Sequence, residues 1–248
     1  MKKPTRVERK RRRRVVFFRL VLLLTLIVIS ISYAFKADFF TIGLINIEGN
    51  NVLANNLIVN ASKINLGENI FRIKTSDSKN EIELLPYIKN VRIKRKLPDT
   101  INITVEERVA VVQIKTLANY VLIDNEGFIL EIIDNRVDNL PCFIGFDIKD
   151  IKPGTNINHY DLGLKLLEFV NEEDILGILK KADTLTYDSE EINIKLIDGI
   201  SVAFGPLFNV KYKLRLLDKI LIDIEKKQIA CSLIIMNKGE NPILVTDN

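Results

Sequence analysis

The 248-residue chain has no tryptophan, one histidine, two cysteines, eleven glycines and seven prolines. A single imidazole, His159, excludes a metal centre built from several histidines, and the residue reads as a surface position at the start of a helix. Two cysteines exclude a disulfide-dense scaffold, and there is no CxxC pair. Cys142 and Cys231 each lie in an apolar run, LPCFIGF and IACSLIIM, so a bridge and two buried free thiols both remain open. Sparse Gly and Pro exclude a low-complexity linker. The chain also lacks a glycine-rich phosphate loop, a GxSxG elbow and an HExxH helix. Two acidic pairs, Asp147 with Asp150 and Glu172 with Glu173, sit in polar segments and read as solvated surface rather than as a hydrolase pair. Asp124 reads as a turn former that bonds to its own backbone. No catalytic residue, cofactor site, metal site or small-molecule substrate is predicted.

What the chain does have is a sharp junction near residue 15. Lys2, Lys3, Arg6, Arg9, Lys10, Arg11, Arg12, Arg13 and Arg14 precede residues 15–35, whose only charge is Arg19. About 20 apolar residues at roughly 1.5 Å rise cross a hydrocarbon core of roughly 30 Å. Residues 15–35 are therefore predicted to form a transmembrane helix, with Arg19 lifting its guanidinium to the headgroups. Cationic flanks stay inside, so Arg11, Arg12, Arg13 and Arg14 set a cytoplasmic amino terminus and an extracytoplasmic remainder. Ser32, Tyr33 and Ala34 have the spacing of a signal-peptidase site, but the apolar part exceeds a usual signal core, which favours an uncleaved anchor. The outer part carries a net charge near −5, which argues against a nucleic-acid partner.

Residues 39–48 alternate apolar and polar and end in Gly49, Asn50 and Asn51, a strand running into a turn. Leu53, Leu57, Ile58, Ala61 and Ile64 mark a helix, and Ser78 with Glu81 forms a capping box for a second one ending at Pro86. Val91 and Ile93 face inward on the next strand, with Arg92, Lys94 and Lys96 outward; Ile101, Ile103 and Val105 line its partner. The predicted order is strand, helix, helix, strand, strand, with the helices on one face of a small sheet.

Beyond Glu107 the pattern is mostly strands, at 109–115, 120–123 and 128–133. Helices are predicted at about 160–170 and through Leu176 and Leu179. Residues 192–197 and 200–204 flank Asp198 and Gly199, a hairpin signal. Val210, Leu214, Leu217, Leu221 and Ile224 form the buried stripe of a helix, with Lys211, Lys213, Arg215 and Lys219 on its other faces. Strands at 229–236 and 243–246 follow.

Several segments, in a consistent order, carry a resemblance: INIEGN at 45–50, GENIFRI at 67–73, Pro86, Val91, Arg95, Leu97, Pro98 and INITVEER at 101–108, then YVLIDNEG at 120–127 and VAFG at 202–205. They resemble the FtsQ/DivIB family of bacterial cell-division proteins. The chain departs from that pattern at Val109, where proline is common, and in lacking an aspartate within residues 229–235. The resemblance implies an α+β fold: a basic tail (1–14), a transmembrane helix (15–35), a POTRA domain (36–108) and a mostly β domain (109–248).

It further implies a non-enzymatic, single-pass scaffold at the division septum that binds FtsB/DivIC-like and FtsL-like partners and, through them, the septal peptidoglycan synthase. Strand addition at Asn241, Pro242, Ile243, Leu244, Val245 and Thr246 is the expected contact, with Arg92, Lys94, Arg95 and Lys96 as a second candidate surface. The alternatives are a POTRA-bearing polypeptide chaperone, although the chain shows no series of barrel strands, a membrane-anchored cell-wall enzyme, and a cleaved secreted factor.

Overall fold

The computed structural model describes residues 6–34, 38–146, 151–159, 163, 166–167, 169, 177–238 and 241–246. These fall into two compact units, residues 1–83 with 90–106 and residues 84–89 with 107–248. The acidic pairs Asp147/Asp150 and Glu172/Glu173 lie outside the described residues, as does the His159 side chain; the His159 backbone is in a short helical turn, Ile157–His159.

Helix α1 (Arg6–Ala34) is continuous over 29 residues. Its described side chains, at 15–30 and Tyr33, are exposed, whereas those of Arg11, Arg12, Arg13 and Arg14 lie outside the described residues. Among the described residues no helix is long and apolar enough to cross a membrane. The continuous stretch 15–30 rises about 24 Å, against a hydrocarbon core of about 30 Å.

The remainder of the first unit contains β1 (Leu44–Glu48), α2 (Asn55–Ser62), α3 (Thr75–Glu83), most of β2 (Ile88–Lys96) and β3 (Thr100–Glu107). The predicted element order holds. The sheet order is β1-β3-β2, with β1 parallel to β3 from Leu44 opposite Thr100 to Glu48 opposite Thr104. Ile101, Ile103 and Val105 alternate inward and pack in a core with Ile58, Ile64, Ile70, Ile82 and Val91, all buried. Full burial of such a side chain contributes about 2 kcal/mol. Gly49, at φ +90°, closes β1; a Cβ there would lie 2.1 Å from the Val105 carbonyl oxygen, so no other residue fits.

Two local expectations change. Phe39 and Phe40 belong to a 3-10 turn (Asp38–Phe40), not to the strand. The backbone at 40–42 is already engaged: Gly67 N–H donates to Ile42 O (2.9 Å), Ile42 N–H to Glu68 O (2.8 Å) and Ile70 N–H to Phe40 O (2.9 Å). Ser78 is a buried position inside α3 rather than its cap; the Ser78 N–H already donates to Lys74 O, within the first turn.

The second unit holds β4 (Ala110–Lys115), β5 (Tyr120–Asp124), β6 (Ile129–Ile133), β7 (Cys142–Ile144), β8 (Ala182–Asp188), β9 (Glu191–Leu196), β10 (Ser201–Pro206), α4 (Val210–Lys227), β11 (Cys231–Ile235) and β12 (Ile243–Thr246). Among the described residues the strands form one sheet in the order β12-β11-β10-β9-β8-β7-β4-β5-β6. The Asp198–Gly199 turn joins β9 and β10 as predicted, with Gly199 at φ +95° and Asp198 Oδ1 accepting the Ile200 N–H (3.2 Å). The described residues of the stretch predicted as helix at 160–170, namely Gly163, Leu166, Leu167 and Phe169, are helical, and Leu166 and Phe169 are buried.

The full stripe of α4, Val210, Leu214, Leu217, Leu221 and Ile224, packs into a core that includes Phe143, Phe169 and Phe204. β10 and β11 are parallel, so α4 serves as the crossover between them. Both cysteines are free, and burial pushes the Cys142 thiol above its usual pKa.

Candidate functional site

The two margins of the nine-stranded sheet differ. At β6 (Ile129–Ile133) the chain covers the start of its own edge, at Ile129. Ile129 N–H donates to Thr155 O (2.8 Å), Gly154 N–H donates to Ile129 O (2.7 Å), and Phe128 bridges Asn156. Tyr87 adds a hydroxyl bond to Glu131 Oε2 (2.8 Å), and burial and that carboxylate raise the phenol pKa. Beside this margin Arg108 Nη1 reaches Asp124 Oδ2 (2.6 Å) and Glu126 Oε2 (2.8 Å) and stacks 3.7 Å over the Phe128 ring. Burial opposes the Arg108 charge, but its bonds to Glu126 and Asp124 outweigh that and raise its pKa. Asp124 also accepts the N–H groups of Glu126 (3.0 Å) and Phe128 (2.7 Å), the turn role expected of it.

At the opposite margin β12 pairs antiparallel with β11, with Val245 opposite Leu233, Leu244 opposite Ile234 and Ile243 opposite Ile235. Nothing among the described residues pairs with its outer side. Every β12 side chain is exposed, with Ile243, Leu244 and Val245 at 50%, 37% and 40%. Leu244 shares a face with fully buried Ile234, while Ile243 and Val245 extend the opposite face beside half-buried Leu233 and Ile235. A short, twisted edge with charges would discourage pairing; this one is short but apolar and uncharged. Its backbone can accept a further strand, and its alternate side chains can read that strand.

At the Pro242 end of β12 lies a hollow of about 570 Å³, lined by Phe208, Asn209, Tyr212, Lys213, Asn237 and Pro242 among others. Lys213 was expected on an outer face of α4, yet it is only 9% exposed. Its ammonium donates to Pro206 O (2.9 Å) and Phe204 O (3.4 Å) and lies 4.3 Å from the Phe208 ring centroid. Burial lowers its pKa, and the charge of Glu191 partly offsets this. Asn237 donates to Glu191 Oε2 (3.0 Å), while its own Oδ1 is buried without a hydrogen-bond partner among the described residues. Gly205, in a bulge of β10 at φ +86°, makes the close packing possible, since a Cβ there would lie 2.6 Å from Asn237 Cβ.

Of the predicted site residues, the structure brings Asn241, Pro242, Ile243, Leu244, Val245 and Thr246 together at this open margin. It separates the basic set on β2: Arg92, Lys94 and Lys96 share one face, whereas Arg95 lies on the other. There Arg95 Nε donates to Ile70 O (2.9 Å) and Nη2 to Ile73 O (2.6 Å). Arg95 therefore clamps the GENIFRI loop. Lys213 and Asn237 were missed because amphipathic spacing cannot say that a lysine will fold under an aromatic ring.

Comparison with known proteins agrees with these observations. The family model for the FtsQ-type POTRA domain matches residues 40–108. The DivIB cell-division protein of Clostridium acetobutylicum is 40% identical over 147 residues, 59% of this chain and 58% of that protein. DivIB of Clostridium tetani is 31% identical over 72% of this chain and 66% of its own length. The matched region thus spans less than two thirds of those two relatives. DivIB of Clostridium botulinum is 29% identical over 96% of this chain and 93% of its own length. With the strand-helix-helix-strand-strand unit and the β-rich unit both in place, the chain carries an FtsQ-type POTRA domain and is similar to the DivIB cell-division proteins of bacteria.

Proposed function

We propose that the protein is a non-enzymatic, single-pass membrane scaffold of the division septum, whose β12 margin captures FtsB/DivIC-like and FtsL-like partners by strand addition. The observation that carries this reading is the open, apolar β12 edge, opposite an edge that the chain covers in part, at Ile129. In this arrangement residues 1–14 lie in the cytoplasm and residues 15–35 span the membrane, an assignment supported by a helix backbone that runs unbroken from Arg6 to Ala34 with exposed apolar side chains. Residues 36–108 form the POTRA domain and 109–248 the partner-binding domain, and the captured partners bring the septal peptidoglycan synthase to the site. Arg92, Lys94 and Lys96 offer a secondary contact face.

Depletion in the native cell is expected to produce filaments, and a fluorescent fusion is expected to form a mid-cell band. Normal septation on depletion would overturn the reading. Leu244→Pro in the full-length protein is expected to lose partner pull-down, because proline cannot donate to a ladder. Undiminished capture would remove β12 from it.

A further inference from the structure

The hollow at the Pro242 end of β12 contains a cation that the fold does not account for. Lys213 sits in the first turn of α4, where the helix dipole disfavours positive charge, and that turn holds no acid. It is buried, its ammonium touches two carbonyl oxygens and the faces of Phe204 and Phe208, and no carboxylate lies within ion-pair distance among the described residues. Glu191 acts on this ammonium only from beyond ion-pair distance and offsets its burial only in part, and burying an ammonium without a paired carboxylate is costly, so a purely structural lysine here would be better replaced by leucine or methionine. An ammonium has three N–H donors, of which the carbonyls of Phe204 and Pro206 take two. Asn237 contributes a second unmet group, the buried Oδ1.

Neither feature lies in the interior away from the margin. Lys213 and Asn237 both line the hollow together with Asn241 and Pro242, the residues that lead into β12, and Lys213 is the sole charged residue among those described in its wall. Phe208 and Tyr212, 58% and 67% exposed, also line it, and such aromatic groups lower the local dielectric around the ammonium. A segment lying along β12 passes this hollow within about one residue of Ile243, at about 3.3 Å per residue.

We infer that this hollow is an acid-reading pocket, which takes one aspartate or glutamate side chain from the segment that adds to β12 and holds its carboxylate on the Lys213 ammonium. The inference rests on the strand-addition reading and adds what selects the partner: the edge supplies sequence-tolerant backbone bonds, and the pocket demands an acid at one position of the incoming strand. The arriving segment also brings backbone N–H groups toward the free Asn237 Oδ1.

The test measures binding of the full-length protein, held in detergent micelles, to the purified DivIC-like partner of the same organism. Each Asp and Glu of the partner's strand-adding segment is changed singly to its amide. One of these changes, and Lys213→Met, are each expected to weaken binding about tenfold or more, and the two together no more than either alone. Lys213→Met that binds with full affinity, while Leu244→Pro does not bind, would overturn the pocket and leave the margin standing. Leu244→Pro that binds normally would overturn the margin itself. Should Lys213→Met fold poorly, the partner-side amide series against the unaltered chain decides, and a series with no sensitive acid overturns the inference. Coupling of Lys213 to Glu240→Gln instead of to a partner acid would make the occupant this chain's own carboxylate and would equally overturn it.

Discussion

The β6 and β12 margins end the same sheet in opposite ways. At β6 the chain spends a loop on its own edge, with Gly154 and Thr155 bonded to Ile129 and a buried Arg108–Asp124 pair beside it. At β12 it leaves four exposed residues, three of them large and apolar, with no strand on their outer side among the described residues. An uncovered apolar edge invites association, and the contrast with a margin covered at Ile129 is what supports the proposal that β12 is the working surface.

The largest expected effect breaks the sealed side. Arg108→Met strands the Asp124 carboxylate, 2% exposed, and should cost about 3–5 kcal/mol in denaturant unfolding while partner capture by the folded fraction persists. Gly154→Pro removes the N–H that donates to Ile129 O at a position with φ +87°. It should cost about 3 kcal/mol and add concentration-dependent self-association, read by light scattering, because a second margin is then open. Leu244→Pro should reduce partner affinity at least tenfold with little change in melting temperature, the reverse of the two β6-side variants.

A smaller contrast lies within β2. Arg95→Met should destabilise the first unit by about 1–2 kcal/mol through the lost bonds to Ile70 O and Ile73 O, whereas Lys94→Met stays within about 0.5 kcal/mol. The smallest effect is acidic. Bonds from Lys89 and Arg108 hold the Glu126 carboxyl below its usual pKa, and bonds from Thr184 and Arg136 do the same for Asp183. Each stabilises fully above the ordinary carboxylate range and loses its contribution as pH falls through the lowered value. Both are more than a third exposed, so melting between pH 6 and pH 3 should register less than about 1 kcal/mol from each.

Much of the fold was legible because it rests on local periodicity. The inward triplet Ile101, Ile103, Val105 and the α4 stripe from Val210 to Ile224 need only spacings of two and of three to four. β7 and β8 were not predicted. β7 is three residues long, and β8 reads ADTLTYD, in which only Ala182 and Leu185 are buried. Such strands are held by their neighbours, β7 by β4 and β8, and β8 by β9, rather than by their own pattern. Arg95 and Lys213 were misplaced for a related reason: long side chains go where a carbonyl or ring receives them, and those receivers are distant in sequence or belong to another element.

Read alone, the amino-acid sequence determined the element order of the first unit, the basic tail with its apolar continuation, the strand at residues 243–246 and the resemblance to the FtsQ/DivIB proteins, since each of these is written in contiguous residues. That the far margin is β6, covered at Ile129, and that a buried lysine stands beside the open margin expected at 241–246, was decided only by tertiary structure. Strand order in a sheet with parallel pairings such as β10 with β11 arises from contacts between distant segments, and no local pattern encodes which strand comes last.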